Sequence, residues 1–171
     1  MDHSLAMSNP VHVSAGHARA ARRIHLGSEP MDCKVSAEDS NGAICIFEFN
    51  GNSGGPRHSH LSQDEWIHIL EGEYEFQIGE QRMRLRAGDS VFIPRNVSHV
   101  WAGVGDKPGK ILNVYQPAGK IEDFFQKVSA HPDLPTREQV INRSYTDQQR
   151  SSFHRLFAEH DMDLLGPPHL P

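Results

Sequence analysis

Cysteine is scarce in this chain. There are two in 171 residues, Cys33 and Cys45, in separate strand-like stretches and without a C-x-x-C partner. A chain of this length buries a core without covalent staples, so the pair reads as reduced, partly buried thiols of a cytoplasmic protein. Long apolar runs are also missing. Nothing approaches the ~18 consecutive apolar residues of a membrane span, and the N-terminal MDHSLAMSNPVHV has neither the basic nor the apolar region of a secretory signal. Positive charge is not in excess either: with histidines neutral the net charge is -5, whereas nucleic-acid recognition normally leaves a basic footprint. The short cluster HARAARRIH (residues 17–25) reads as solvated arginines between strands. No nucleic-acid or membrane partner is expected.

What is present is the composition of a folded domain, 37% apolar and 23% charged. After an N-terminal arm over residues 1–21, rich in Ser, Ala and His, short β-like runs alternate with turn signals: RRIHL, DCKVSA, AICIFEFN, EWIHILEG, EYEFQIG, QRMRLRAG, SVFIPR, SHVWAGVG and KILNVYQP. Such spacing predicts an all-β sandwich or barrel over residues 22–117. In EYEFQIG, Tyr74, Phe76 and Ile78 alternate with Glu73, Glu75 and Gln77; in QRMRLR, Met83 and Leu85 alternate with arginines. The Glu and Arg rows are expected to pair across the outer face of a hairpin. Beyond Tyr115 the period changes. Residues 118–171 read as a helical extension packed on the barrel or on a partner subunit, with apolar stripes Ile121–Phe124–Phe125–Val128 and Phe153–Leu156–Phe157.

The chemistry concentrates in RHSHLSQDEWIHILEG (residues 57–72). Twelve histidines in 171 residues produce an H-x-H pair by chance roughly once per chain, so the pair alone is weak. In a strand, though, His58 and His60 share a face. If residues 61–64 turn the chain, Glu65 enters beside them, while His68 points the other way. GDSVFIPRNVSHVWAG (residues 88–103) offers His99 as a fourth group after a tight Pro-Arg-Asn turn. Gln63 and Asp64 are either groups that orient the imidazoles or solvated turn residues. His12, His17, His25, His131, His154, His160 and His169 fit no ligand spacing and read as surface residues.

The first stretch resembles the first cupin motif, G-x5-H-x-H-x3,4-E-x6-G, with His58, His60, Glu65 and Gly72 in place. The second resembles G-x5-P-x-G-x2-H-x3-N through Gly88, Pro94 and His99, and fifteen residues separate the motifs. Three positions depart: Asn52 and Asn96 stand for glycines, and Gly103 for the closing asparagine. Asparagine tolerates the left-handed turn conformation, so Asn52 and Asn96 are expected to make the same turns. The ending, with PAG, IEDFF and GPP, is similar to single-domain cupins of the quercetin dioxygenase-like group (cupin 2, conserved barrel).

The resemblance implies a jelly-roll (double-stranded β-helix) barrel with short C-terminal α-helices. It also implies a homodimer and one divalent metal per subunit on His58, His60, Glu65 and His99. Nitrogen and oxygen donors without thiolate suit Fe, Ni, Mn, Zn, Co or Cu. A chelating substrate at such a centre could be cleaved by O2, giving a metal-dependent dioxygenase that acts on a small aromatic or enolisable compound, with Glu65 as the candidate proton acceptor. The rivals are a non-catalytic ligand-binding or sensor cupin and a metal-dependent isomerase or lyase. Phe47, Phe49, Trp101 and Tyr115 are pocket candidates whose side is not settled by pattern.

Overall fold

The computed structural model describes residues 10–131 and 134–168; His169 and the first nine residues of the expected arm lie outside it. Eleven strands, three α-helices and one turn of 3-10 helix (Arg19–Ala21) are formed by the described residues. The strands are β1 (Arg23–Leu26), β2 (Glu29–Val35), β3 (Cys45–Asn50), β4 (Pro56–His60), β5 (Asp64–Glu71), β6 (Glu73–Ile78), β7 (Gln81–Arg86), β8 (Ser90–Ile93), β9 (His99–Gly103), β10 (Lys110–Gln116) and β11 (Met162–Pro168). The helices are α1 (Ile121–Ala130), α2 (Arg137–Asn142) and α3 (Asp147–Glu159).

All pairings are antiparallel and make two sheets, ordered β1-β2-β3-β10-β5-β8 and β11-β4-β9-β6-β7. The all-β reading is therefore observed, as two antiparallel sheets. The apolar residues that alternate along the strands meet in one core between the sheets, including Phe47, Phe49, Ile67, Tyr74, Phe76 and Ile111. The β6–β7 hairpin turns on the two-residue loop Gly79–Glu80, with Gly79 at φ 56°, a conformation that glycine adopts without a Cβ clash. Its outer face carries the expected charge rows, and Arg84 donates to Glu73 diagonally across the strands.

Both thiols are buried and unbonded. They lie on the adjacent strands β2 and β3 and interact with each other.

The C-terminal segment is more than helical. Residues 162–168 form β11, which lies along β4 and carries Met162 opposite His60 and Leu164 opposite His58. GPP supplied no strand signal, because Pro and Gly are depleted in strands; an edge position tolerates them since half the backbone groups need no partner. Threonine caps open the last two helices: Thr136 and Thr146 each accept from the backbone three residues on, and Gln139 and Gln149 return the bond. His160 departs from the surface expectation. It is buried, with Nδ1 2.6 Å from the Leu156 carbonyl and Nε2 2.9 Å from Asp123, so it ties the end of α3 to α1.

Candidate metal centre

β4 and β9 touch through a single register pair, His58 opposite His99. That crossing puts the two rings 4.4 Å apart, with the His60 ring 5.0 Å from His58 and 5.5 Å from His99. One ring nitrogen from each of the three lies within 4.8 Å of the others, a spacing that could hold a metal ion. Glu65 arrives from the opposite sheet. It begins the inward-facing row of β5, with Ile67 and Ile69 behind it, and its Oε2 is 3.1 Å from His99 Nε2 and 3.7 Å from His60 Nε2. His68 points outward, bonded to Ser90 and stacked on Trp66. The period-two reading thus separates bystander from cluster in the folded chain.

Backbone carbonyls orient two of the rings in the same way. His58 Nδ1 donates to Pro56 O at 2.8 Å and His99 Nδ1 to Val97 O at 3.0 Å, each two residues back. This leaves both Nε2 atoms free to act as ligands. His60 Nε2, His99 Nε2 and Glu65 Oε2 are buried without a hydrogen-bond partner among the described residues. Buried polar atoms are normally paired, so such a convergence of unpaired donor atoms fits a cation.

Charge is arranged to match. Burial, with the neighbouring imidazoles, holds His58 well below the ordinary histidine range and brings His60 to about 4. Burial alone would raise Glu65 but is outweighed by His99, and then by the other two imidazoles, which bring the carboxyl down to about 2. His99 is raised: burial opposes its charge, and the Glu65 carboxylate wins. At neutral pH the cluster therefore offers His58 and His60 as neutral imidazoles and Glu65 as a carboxylate, and His99, whose proton the carboxylate favours, releases it on ligating a metal.

A pH dependence follows for the chelator-treated protein. His60 binds its proton near 6.5 when unfolded and near 4 when folded, so stability falls as pH drops through that window. His58 adds the same sign. His99 opposes it, its raised value favouring the folded state at low pH. Glu65 contributes its full stability above about 4.5 and loses it progressively as pH falls towards 2. From pH 7 to 5 the loss should be about 2 kcal/mol per neutral buried histidine, partly offset by His99. Urea unfolding at the two pH values checks this, and equal stabilities would refute it.

The outlying motif positions take separate roles. Asn96 is left-handed at φ 64°, as a glycine substitute should be, and its N–H donates to His60 O at 2.7 Å. Asn52 is not left-handed. Its side chain accepts from Gly109 N and donates to the Gly105 and Lys107 carbonyls, a loop staple that glycine does not supply. Gly103 lies directly against that side chain and has no room for a Cβ. Asp64 turns away from the imidazoles and clamps Arg95 through its backbone N–H and guanidinium, locking the two motif turns together. Gln63 is buried beside His60 and donates to the Pro117 and Ala118 carbonyls.

Beside the histidines opens a cavity of about 110 Å³ walled by side chains such as Phe49, Trp101, Tyr115, Phe124, Phe153 and Phe157. The helical stripes, expected mainly as packing, therefore also line the pocket. Of the four aromatic candidates, Phe49, Trp101 and Tyr115 face it, while Phe47 is buried in the core behind. Tyr115 stands opposite Glu65 in the β10–β5 register, and burial with the carboxylate's charge holds its hydroxyl protonated. Sequence reasoning missed Asn113, which also borders the cavity; its signal was a polar residue in the inward row of KILNVYQ.

Residues 45–115 match the family model of the cupin domain. An uncharacterized protein of Methanocaldococcus jannaschii is 30% identical over 66 residues, covering 39% of this chain and 53% of that protein. The chain thus spans about half the length of that curated relative. A nucleoside dehydratase superposes with TM-score 0.50 at 11% identity, over 64% of this chain and 84% of its own. For an RmlC-like cupin from Shewanella frigidimarina the values are 0.49, 20%, 61% and 93%. At such identities the dehydratase superposition speaks for the fold alone.

Proposed function

From the premise that residues 45–115 form a cupin domain, we propose a dioxygenase-type oxidoreductase that acts on a small aromatic or enolisable compound at a metal held by His58, His60, Glu65 and His99. The observation that carries this is the convergence of His60 Nε2, His99 Nε2 and Glu65 Oε2, buried and unpartnered, on the wall of an aromatic cavity. The donor set suits one divalent Fe, Ni, Mn, Zn, Co or Cu ion per subunit. When bound, the ion supplies a Lewis-acid and, if redox-active, an electron-transfer centre to a chelating substrate.

The chain's own residues do the rest. Phe49, Trp101, Phe124 and Phe157 grip a flat apolar substrate and exclude water. Carbonyl-anchored His58 and His99 keep the geometry rigid. Glu65, ionised at neutral pH, would leave the ligand set to receive the proton that a hydroxyl or enol gives up on binding. The Tyr115 hydroxyl opposite it remains a donor.

The proposal extends to a cytoplasmic homodimer. Trp66 and Phe92, opposed across β5 and β8, leave an exposed aromatic face for a second copy, and no helix among the described residues is long and apolar enough to cross a membrane.

One preparation tests all of this. Protein purified without added metal should carry about one transition-metal ion per chain and scatter light as twice 19.2 kDa. Loaded with iron or nickel, it should consume O2 with catechols, β-diketones or flavonols. No uptake with any of them would sink the dioxygenase reading in favour of ligand binding, isomerisation or lyase chemistry.

A further inference from the structure

β10 directs Ile111, Asn113 and Tyr115 inward. Asn113 is 2% exposed, and its Oδ1 has no hydrogen-bond partner among the described residues. Its register neighbours are Phe47 on β3 and Ile67 on β5, both apolar. An unpaired amide in such surroundings is unfavourable, and a leucine of similar shape would fill the space better. Its side chain borders the same cavity as His58, His60 and Glu65. Two residues further along β10, Tyr115 pairs in register with Glu65, so the amide is offset from the carboxylate by roughly 7 Å of strand. That offset matches the length of one substituted six-membered ring. Among the described residues that line the cavity there is no Lys or Arg, so an anionic group arriving at Asn113 would be desolvated without a counter-charge.

We infer that Asn113 is a substrate-binding residue whose Oδ1 accepts a hydrogen bond from a neutral hydroxyl or N–H on a ring-sized ligand, the opposite end of which chelates the metal. The site then selects neutral two-ended molecules and disfavours those with a distal carboxylate or phosphate. This rests on the metal-centre reading above, and the test separates the two.

Zinc-loaded protein, which does not turn over O2, is titrated calorimetrically with 4-methylcatechol, 3,4-dihydroxybenzyl alcohol and 3,4-dihydroxybenzoate. The alcohol should bind about fivefold more tightly than the methyl compound, the worth of one neutral hydrogen bond, and the benzoate should bind weakest. Asn113→Leu should abolish the preference for the alcohol and keep full zinc content. It should also melt higher than the wild type when metal-free, a change that a structural amide would not give. Asn113→Ser, which withdraws the amide's reach, should lose the preference too. A preference retained in both variants, a benzoate that binds tightest, or a lower melting temperature of Asn113→Leu overturns the inference. Catechols that bind without discrimination overturn the inference alone. If the wild type binds no catechol, the chelating centre on which the inference rests falls with it.

Discussion

Replacing His58 by alanine should strip the protein of its metal. His58 is the ring that β4 sets directly against His99, and its Nδ1–H···O=C bond to Pro56 leaves only Nε2 to coordinate. Removing an orienting partner of a ligand typically costs 10–100-fold in metal affinity, so removal of the ligand itself should cost more than about 100-fold. Elemental analysis after dialysis against a weak chelator should then fall from about one ion per chain to below a tenth. His99→Ala should do the same with an added penalty. It strands the buried Glu65 carboxylate 3.1 Å from an empty position, and loss of one partner from a buried pair costs about 3–5 kcal/mol. His58→Ala is therefore the cleaner variant. The control is His68→Ala, one of the outward row, which should keep its metal because its ring bonds Ser90 outside the cluster. Metal content unchanged in His58→Ala, or lost equally in His68→Ala, would reject the ligand assignment.

Gly54→Ala should have the largest effect on stability of any single methyl added near the site. A Cβ there would occupy the same space as the backbone carbonyl oxygen of Trp101, with the Trp101 indole close behind. Backbone has no rotamer by which to withdraw, so the chain before β4 must move away from β9. The cost should be about 3 kcal/mol or more, at the top of the range for overpacking. In a chain of this size that lowers the melting temperature by roughly 6–12 °C. The same displacement separates His58 from His99, since β4 and β9 share only that register pair. Calorimetry should therefore show a lower transition together with weakened metal binding. The neighbouring Gly55→Ala meets nothing within 4 Å and should be close to neutral. A stable, fully metallated Gly54→Ala would show that the two strands have slack at the site.

The inward face of each strand was legible because a pleated strand has a period of two, and burial on one side writes that period into the residue types. Tyr74 and Phe76, Glu65 and Ile67, and the outward His68 all follow from it. The helical stripes were legible in the same way, through their longer period. Their partner was not. An amphipathic pattern states that a face is covered but not by what, and Phe124, Phe153 and Phe157 turned out to close the cavity beside the histidines. His160 was unreadable for a related reason: its partners, Asp123 and the Leu156 carbonyl, come from two helices whose packing no local pattern encodes. β11 was hidden because its residues are poor strand formers placed at an edge by pairing with β4.

The sequence by itself determined which residue types are available as ligands, on which face of which strand they stand, and, through the intervals between His58, His60, Glu65 and His99, that they resemble one known constellation. Only the tertiary structure decided that Glu65 from one sheet meets three histidines from the other, that two rings are aimed by carbonyls two residues back, and that Asn113 lines the same cavity with its Oδ1 buried and unpartnered among the described residues. These are facts about distances across the core between elements far apart in the chain. Local periodicity fixes direction along an element, whereas convergence depends on how two sheets and two helices pack, and that is settled by the sum of their buried contacts.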